Sequence, residues 1–459
     1  MNKIITTINP ATGNTIESYE LMTKEHALDA VAKCHDAFLA WKTTSFEERA
    51  EIIINIGKKL NEHKEDFAEL MTQEMGKLIK HGHQEIDLCI AICDYTAATG
   101  AKELANQEKE LLNGGKGIVS FAPLGVIYGI QPWNFPAYQV VRYVIANLMA
   151  GNGLLLKHAK NVTGSALKLK EIFDQAGLPE NLFTVLIVNH DVSDTIIAHK
   201  LVRGITFTGS ANAGKTIAVQ AAKSIKKTVL ELGSNDAYIV LEDADMELAI
   251  TTCVNGRLYN NGETCVAAKR FIVVDAVYDQ FKKGFVERMS TIKTGDPFDK
   301  NMELGPMARK DLREKIHNQV KDSIEKGAEV LCGGKMPEGA GFYYPSTVLG
   351  NVNPGQPAYD EELFGPVASL IKAKDQEDAI RIANDSRFGL GGGIFSKDED
   401  KAIALAQKHF DTGMVFINSF GTAQVEMPFG GVKDSGYGNE HGGFGIKEFV
   451  NPKSINILK

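Results

Sequence analysis

One cysteine and one carboxylate carry residue types suited to covalent acyl chemistry. Cys265 ends the short polar turn Asn260-Asn261-Gly262-Glu263-Thr264, and Glu231 closes the apolar run Thr228-Val229-Leu230 just before Leu232-Gly233. A thiolate attacks a carbonyl carbon, and a carboxylate can then activate the water that releases the acyl group. Taken singly, each residue has a plainer reading. A cysteine between packed segments is usually a small inert hydrophobe, and a glutamate beside Leu-Gly is often only the end of an element.

The elements that must hold such a pair belong to a large chain. At 459 residues it exceeds the size at which one hydrophobic core keeps growing, so two or three domains are expected. With 44% apolar and 24% charged residues it has the composition of a water-soluble globular protein. A net charge of -8, with both signs mixed along the chain, argues against nucleic acid or an anionic membrane as partner. Six cysteines (34, 89, 93, 253, 265 and 332) are scattered without zinc-type pairing, which suits a reducing compartment and no metal site. No apolar run has membrane-spanning length, and Met1-Asn2-Lys3-Ile4 opens no signal-peptide core, so a cytoplasmic location is expected.

Along the chain, residues 4–20 read as a short strand with a Pro/Gly turn, and Thr23 to about Asn106 as helical. Ser45 three residues before Glu48 is a capping-box start. His81 and His83 flank a glycine and read as solvated surface. Around 117–130 the period changes to that of strands, which predicts a hairpin or long ribbon, with an edge that a second subunit could cover. The rigid loop Gln131 to Pro136 follows, then a helix over Tyr138–Ala150 and the strand Leu154-Leu155-Leu156 ending in Lys157. Strands and helices alternate from there, at 184–188, 204–208, 238–241 and 270–274 for strands, and 166–176, 192–199, 246–259 and 277–293 for helices. This alternation predicts βαβ units and parallel sheets, with a ligand at the carboxyl ends of the strands. Gly436-Tyr437-Gly438 belongs to a glycine-rich loop, 379–383 and 402–408 are helical, and 454–458 alternates like an edge strand.

Gly209-Ser210 follows a strand and opens a helix, a place where free N–H groups can meet a dinucleotide phosphate, although GxGxxG is absent. Lys157, with Lys160 three positions on, puts cations at a strand end where an extra 2′-phosphate on a ribose is tolerated.

Seven motifs, in order, resemble the NAD(P)-dependent aldehyde dehydrogenase superfamily over nearly the whole chain. They are Pro132-Trp133-Asn134-Phe135-Pro136, Leu156-Lys157, Phe207-Thr208-Gly209-Ser210, Leu230-Glu231-Leu232-Gly233, Gly262-Glu263-Thr264-Cys265, Glu362-Leu363-Phe364-Gly365-Pro366-Val367 and the run Pro428 to Gly436. The resemblance implies an α/β fold with a Rossmann-type cofactor domain (1–104 and 124–232), an α/β catalytic domain (233–439) and a small β oligomerisation element (105–123 and 440–459). It implies Cys265 as nucleophile, Asn134 as oxyanion donor together with the Cys265 backbone N–H, and Glu231 as general base. It places Trp133, Lys157, Lys160, Gly209, Ser210, Glu362 and Phe364 about the cofactor, and a homodimer or homotetramer as the assembly. The NAD-preferring pattern Lys-Pro-Ser-Glu is replaced by Lys157-His158-Ala159-Lys160, which favours NADP beside NAD. Glu263 stands where Gln is common, and Ser234 where a second Gly is common.

Arg142, on the helix after the Asn134 loop, resembles the arginine with which succinate-semialdehyde dehydrogenases grip a distal carboxylate; a planar fork of donors suits that group. Tyr138 and Tyr259 join it as expected substrate contacts. Tyr259 replaces a second arginine of one branch and Ala423 a serine, so the nearer likeness is to a shorter bacterial branch that also takes simple aliphatic aldehydes. The expected reaction is oxidation of succinate semialdehyde to succinate. Three other readings are a broad aliphatic or aromatic aldehyde dehydrogenase with a funnel of Trp133, Tyr138, Tyr259 and Phe420, a non-catalytic relative, and a hydrolase with no redox step.

Overall fold

The computed structural model describes residues 4–112 and 114–457. Its central sheet is built from short apolar runs buried on both faces, as parallel strands must be. In spatial order the strands are Phe183–Val185, Gly153–His158, Val126–Gln131, Val202–Thr208 and Lys227–Glu231, all parallel. The order reverses between Val126–Gln131 and Val202–Thr208, so a crevice opens beyond their carboxyl ends, at Pro132 and Gly209. A sixth strand, Gly436–Tyr437, pairs antiparallel with Lys227–Glu231 and sets Gly436 opposite Glu231.

A second sheet follows the order Glu329–Cys332, Thr347–Gly350, Val367–Ala373, Arg270–Val274, Ala237–Val240, Gly392–Phe395 and Phe416–Ile417. Only its first pair is antiparallel. The helix Lys310–Glu325 and several of these strands were not legible as elements in the sequence.

The ribbon expected over 117–130 is divided between two sheets. Lys116–Pro123 pairs with Gln107–Glu110 on one side and with Val450–Ile457 on the other, whereas Val126–Gln131 is central to the first sheet. The chain crosses at Gly125, whose φ of +137° and whose closeness to the Arg203 side chain leave no room for a Cβ. The terminal strand is an edge, as its alternation predicts, while Leu458 lies outside the described residues.

The helical stretch resolves into Lys24–Trp41, Phe46–Glu62, Lys64–Met75 and Ile79–Glu103. Ser45 accepts the Glu48 N–H at 3.1 Å and the Glu48 carboxylate accepts the Ser45 N–H at 2.7 Å, which completes the capping box. His81 corrects the surface reading. It is 8% exposed, packs 4.7 Å from the Tyr259 ring, and burial pushes its imidazole down to about 3. His83 is partly exposed, with Nε2 2.9 Å from Glu65.

Candidate active site

The cysteine turn is conformationally costly and heavily held. Asn260, Asn261 and Gly262 are consecutive left-handed residues with φ of 53°, 59° and 75°, a backbone that Asn and Gly tolerate best. Asn261 Nδ2 donates to the carbonyls of Gly76 at 2.9 Å and Pro306 at 3.0 Å, and its Oδ1 accepts the Gly305 N–H at 2.8 Å. Asn260 Nδ2 donates to the Asn134 carbonyl at 2.9 Å, and Arg257 donates to the Gly262 carbonyl at 2.7 Å. The buried Glu263 carboxylate accepts the Ala308 N–H at 3.1 Å. Surroundings that fix the turn from so many sides can sustain its backbone strain.

Cys265 follows this turn and keeps part of its surface in the cleft. Burial pushes its thiol up to about 12; Lys269 and Arg142 oppose that shift, and Glu231 and Glu362 add to it. The Cys265 carbonyl accepts from Lys269 Nζ at 2.5 Å and from Ser234 Oγ. Lys269, which the sequence did not single out, is buried.

Asn134 faces the same cleft from the loop after Val126–Gln131. Its Nδ2 donates one bond, to the Glu263 carbonyl at 3.0 Å, which leaves the second amide hydrogen for the cleft. His158, met in the sequence only as a departure from Pro, holds this loop. Its Nε2 lies 2.9 Å from the Pro136 carbonyl and its Nδ1 accepts the Ala159 N–H at 3.0 Å. Burial lowers that imidazole to about 4, so it is neutral.

Glu231 is the last residue of its strand, buried, with neither carboxylate oxygen partnered among the described residues. Burial raises its carboxyl well above the ordinary range; Arg142 opposes this, while Glu440 and Glu448 reinforce it. Glu231 does not itself line the cleft that Leu232 and Gly233 reach, and a buried carboxyl without hydrogen bonds is a candidate functional group.

The cleft holds about 670 Å³ of open space and is lined by Trp133, Asn134, Gly209, Ser210, Cys265, Glu362 and Phe364, with Thr208, Leu232 and Gly233 at its wall. Seven of the sequence-selected residues therefore meet in one place. Ser210 caps the helix Ala211–Lys223 by accepting the Ala213 N–H at 3.4 Å, and a helix N-terminus of this kind can meet an anion. Glu362 accepts the Ser234 N–H at 2.9 Å, lies 3.6 Å from Lys269 Nζ and remains partly exposed, so it can accept from hydroxyl groups. Trp133 meets Phe364 edge-on, with ring centroids 5.8 Å apart. A helix N-terminus, a carboxylate and two rings around a switch-point crevice fit a dinucleotide. Lys157 and Lys160 do not line this cleft. Lys157 lies within the neighbouring strand Gly153–His158 and is half-buried, and Lys160 follows that strand and is exposed.

Arg142 packs against Tyr138, and Phe135 links Tyr138 to Tyr259. Arg142 is 2% exposed, and its guanidinium carbon stands 5.4 Å from the Tyr138 ring and 5.2 Å from that of Phe429. Its Nη2 donates to Thr208 Oγ1 at 2.8 Å, while Nε and Nη1 have no partner among the described residues. It lines a narrower pocket, with about 370 Å³ of open space, beside Tyr95, Thr99 and His441. Tyr259 stacks on Phe135 at 6.2 Å and tilts against Phe420 at 6.1 Å. The funnel imagined from four aromatics is therefore divided, since Trp133 packs against Phe364 at the dinucleotide cleft.

The chain is 42% identical to the NAD(P)+ succinate semialdehyde dehydrogenase Sad of Escherichia coli strain K12, covering 98% of this chain and 96% of that one. It is 39% identical to an NADP+ succinate-semialdehyde dehydrogenase of Deinococcus radiodurans, over 98% of this chain and 94% of the relative. Among solved structures, succinic semialdehyde dehydrogenase from Streptococcus pyogenes in complex with NADP+ superposes with a TM-score of 0.97 at 37% identity, over 99% of this chain and 100% of the other. A family model matches residues 1–455, and by that match the chain belongs to the aldehyde dehydrogenase family.

Proposed function

We propose that the protein oxidises succinate semialdehyde to succinate with NADP or NAD. Cys265, as its thiolate, adds to the aldehyde carbon and creates an oxyanion. The free Asn134 amide hydrogen and the Cys265 backbone N–H hold that oxyanion, a role in which each donor is worth about 2.7–4 kcal/mol. A bound nicotinamide would supply the two-electron oxidant, taking the aldehyde hydrogen with its bonding pair as hydride. The acyl group then remains on Cys265 as a thioester, and Glu231, once ionised, takes a proton from the water that cleaves it. The Ser210 helix end receives a phosphate, Glu362 and Lys157 receive ribose hydroxyls, and Lys160 favours the 2′-phosphate. Trp133, Gly209 and Phe364 shape the wall. The domain division given above accompanies this assignment, with residues 436–437 lent to the sheet of the cofactor domain.

One observation carries the substrate choice: Arg142 is a buried guanidinium with two donor nitrogens left over, Nε and Nη1. A distal carboxylate supplies what they lack. Steady-state kinetics with succinate semialdehyde and hexanal test this. Arg142→Ala should raise KM for succinate semialdehyde by about 10- to 100-fold, from the loss of a charged hydrogen bond, and leave KM for hexanal nearly unchanged. Equal effects on both aldehydes would remove Arg142 from the substrate site.

A further inference from the structure

Two ionisable side chains away from the cleft make contacts that the reaction scheme does not use. Lys77 and Glu85 are fully buried and form an ion pair. Lys77 follows Gly76, the left-handed residue that ends the helix Lys64–Met75, and Glu85 lies on Ile79–Glu103. Removing two charges from water costs several kcal/mol per ion, so such a pair is weak evidence for stability in itself. What else the two groups touch is therefore informative. Lys77 Nζ donates to the Asn134 carbonyl at 3.2 Å and sits 4.5 Å from the centre of the Phe135 ring. Glu85 Oε1 accepts the N–H groups of Ala137 at 2.8 Å and Tyr138 at 2.9 Å. The cation thus holds the entry of the Asn134–Ala137 turn and the anion its exit. Glu85 also caps the helix Tyr138–Ala150, which has no side-chain cap at Ala137.

We propose that Lys77 and Glu85 are a positioning pair that clamps both ends of the Asn134 turn and so fixes the Asn134 amide beside Cys265. The inference rests on the oxyanion role assigned to Asn134 above. An amide displaced by a fraction of a bond length holds an oxyanion poorly, and misplacement of about 1 Å can cost about 100-fold in rate. Alkylation of the thiol by iodoacetamide forms no oxyanion at the attacked carbon, so it reports on the fold and the nucleophile without Asn134.

The test compares Lys77→Met/Glu85→Gln, Asn134→Ala and the triple variant, each read by kcat with succinate semialdehyde and by the alkylation rate of Cys265. Methionine keeps the lysine volume, and glutamine still accepts from Ala137 and Tyr138. The pair variant should lose about 10- to 100-fold in kcat, with alkylation changed less than about twofold. Asn134→Ala should lose about 100- to 1,000-fold, and the triple variant no more than Asn134→Ala. If Asn134→Ala kept full kcat, the oxyanion reading itself would fail. If Asn134→Ala lost activity while the pair variant did not, or if the two losses multiplied in the triple variant, the positioning role would be overturned. Should the pair variant not fold, Glu85→Gln alone is read by the same comparison and the same two outcomes decide.

Discussion

Burial acts on Cys265 and Glu231 against the ionised forms that their proposed roles require. It pushes the Cys265 thiol up to about 12 and the Glu231 carboxyl well above the ordinary range. For Cys265 the Lys269 and Arg142 cations favour the thiolate and reduce the rise without cancelling it. For Glu231 the remedy is pH. A carboxyl with a raised pKa keeps its proton at low pH and loses it as pH rises, and only the ionised form can act as base. Thioester hydrolysis should therefore climb with pH through that raised pKa and level off above it. Glu231→Gln should lower kcat by about 100- to 10,000-fold and abolish the climb. A pH profile of kcat with a burst of NAD(P)H in pre-steady-state traces checks both, because acylation without deacylation leaves the burst intact.

Among elements, the turn before Cys265 depends on Asn261 for conformation and for three bonds. Asn261→Ala should destabilise the protein by about 2–3 kcal/mol, and Asn261→Gly by about 1 kcal/mol less, because glycine accepts the left-handed backbone that alanine resists. Denaturant melts of the two variants measure the difference. How far such elements could be read in advance follows from what marks them. The helix Tyr138–Ala150 matches its predicted span, and Ser45 caps as its spacing with Glu48 requires, because both signals are local. The Gly125 crossing was missed since alternation continues on both sides of it, and strand period says nothing about which sheet receives a strand. Cys265, Asn134 and Glu362 could be found through motif order. Lys269, Lys77 and Glu85 could not, because a charged residue looks alike on paper whether it faces water or a carbonyl in the core.

For the whole molecule, the three-stranded sheet leaves Val450–Ile457 as an edge with Ile455 and Ile457 exposed. A second subunit covering this edge would account for the dimer or tetramer that the family resemblance implies. Deleting residues 450–459 should reduce the mass in light scattering to that of one chain. A full-length mass equal to one chain would refute the assembly. The Gly436–Tyr437 strand has a different consequence. The strand bearing Glu231 acquires its last neighbour from a segment made some 200 residues later, and long-range pairing of this kind forms late. A polypeptide still emerging from the ribosome thus carries its sulfur long before the base has its permanent setting. Reactive carbonyl compounds in the cell would meet a competent catalyst only once synthesis is nearly finished.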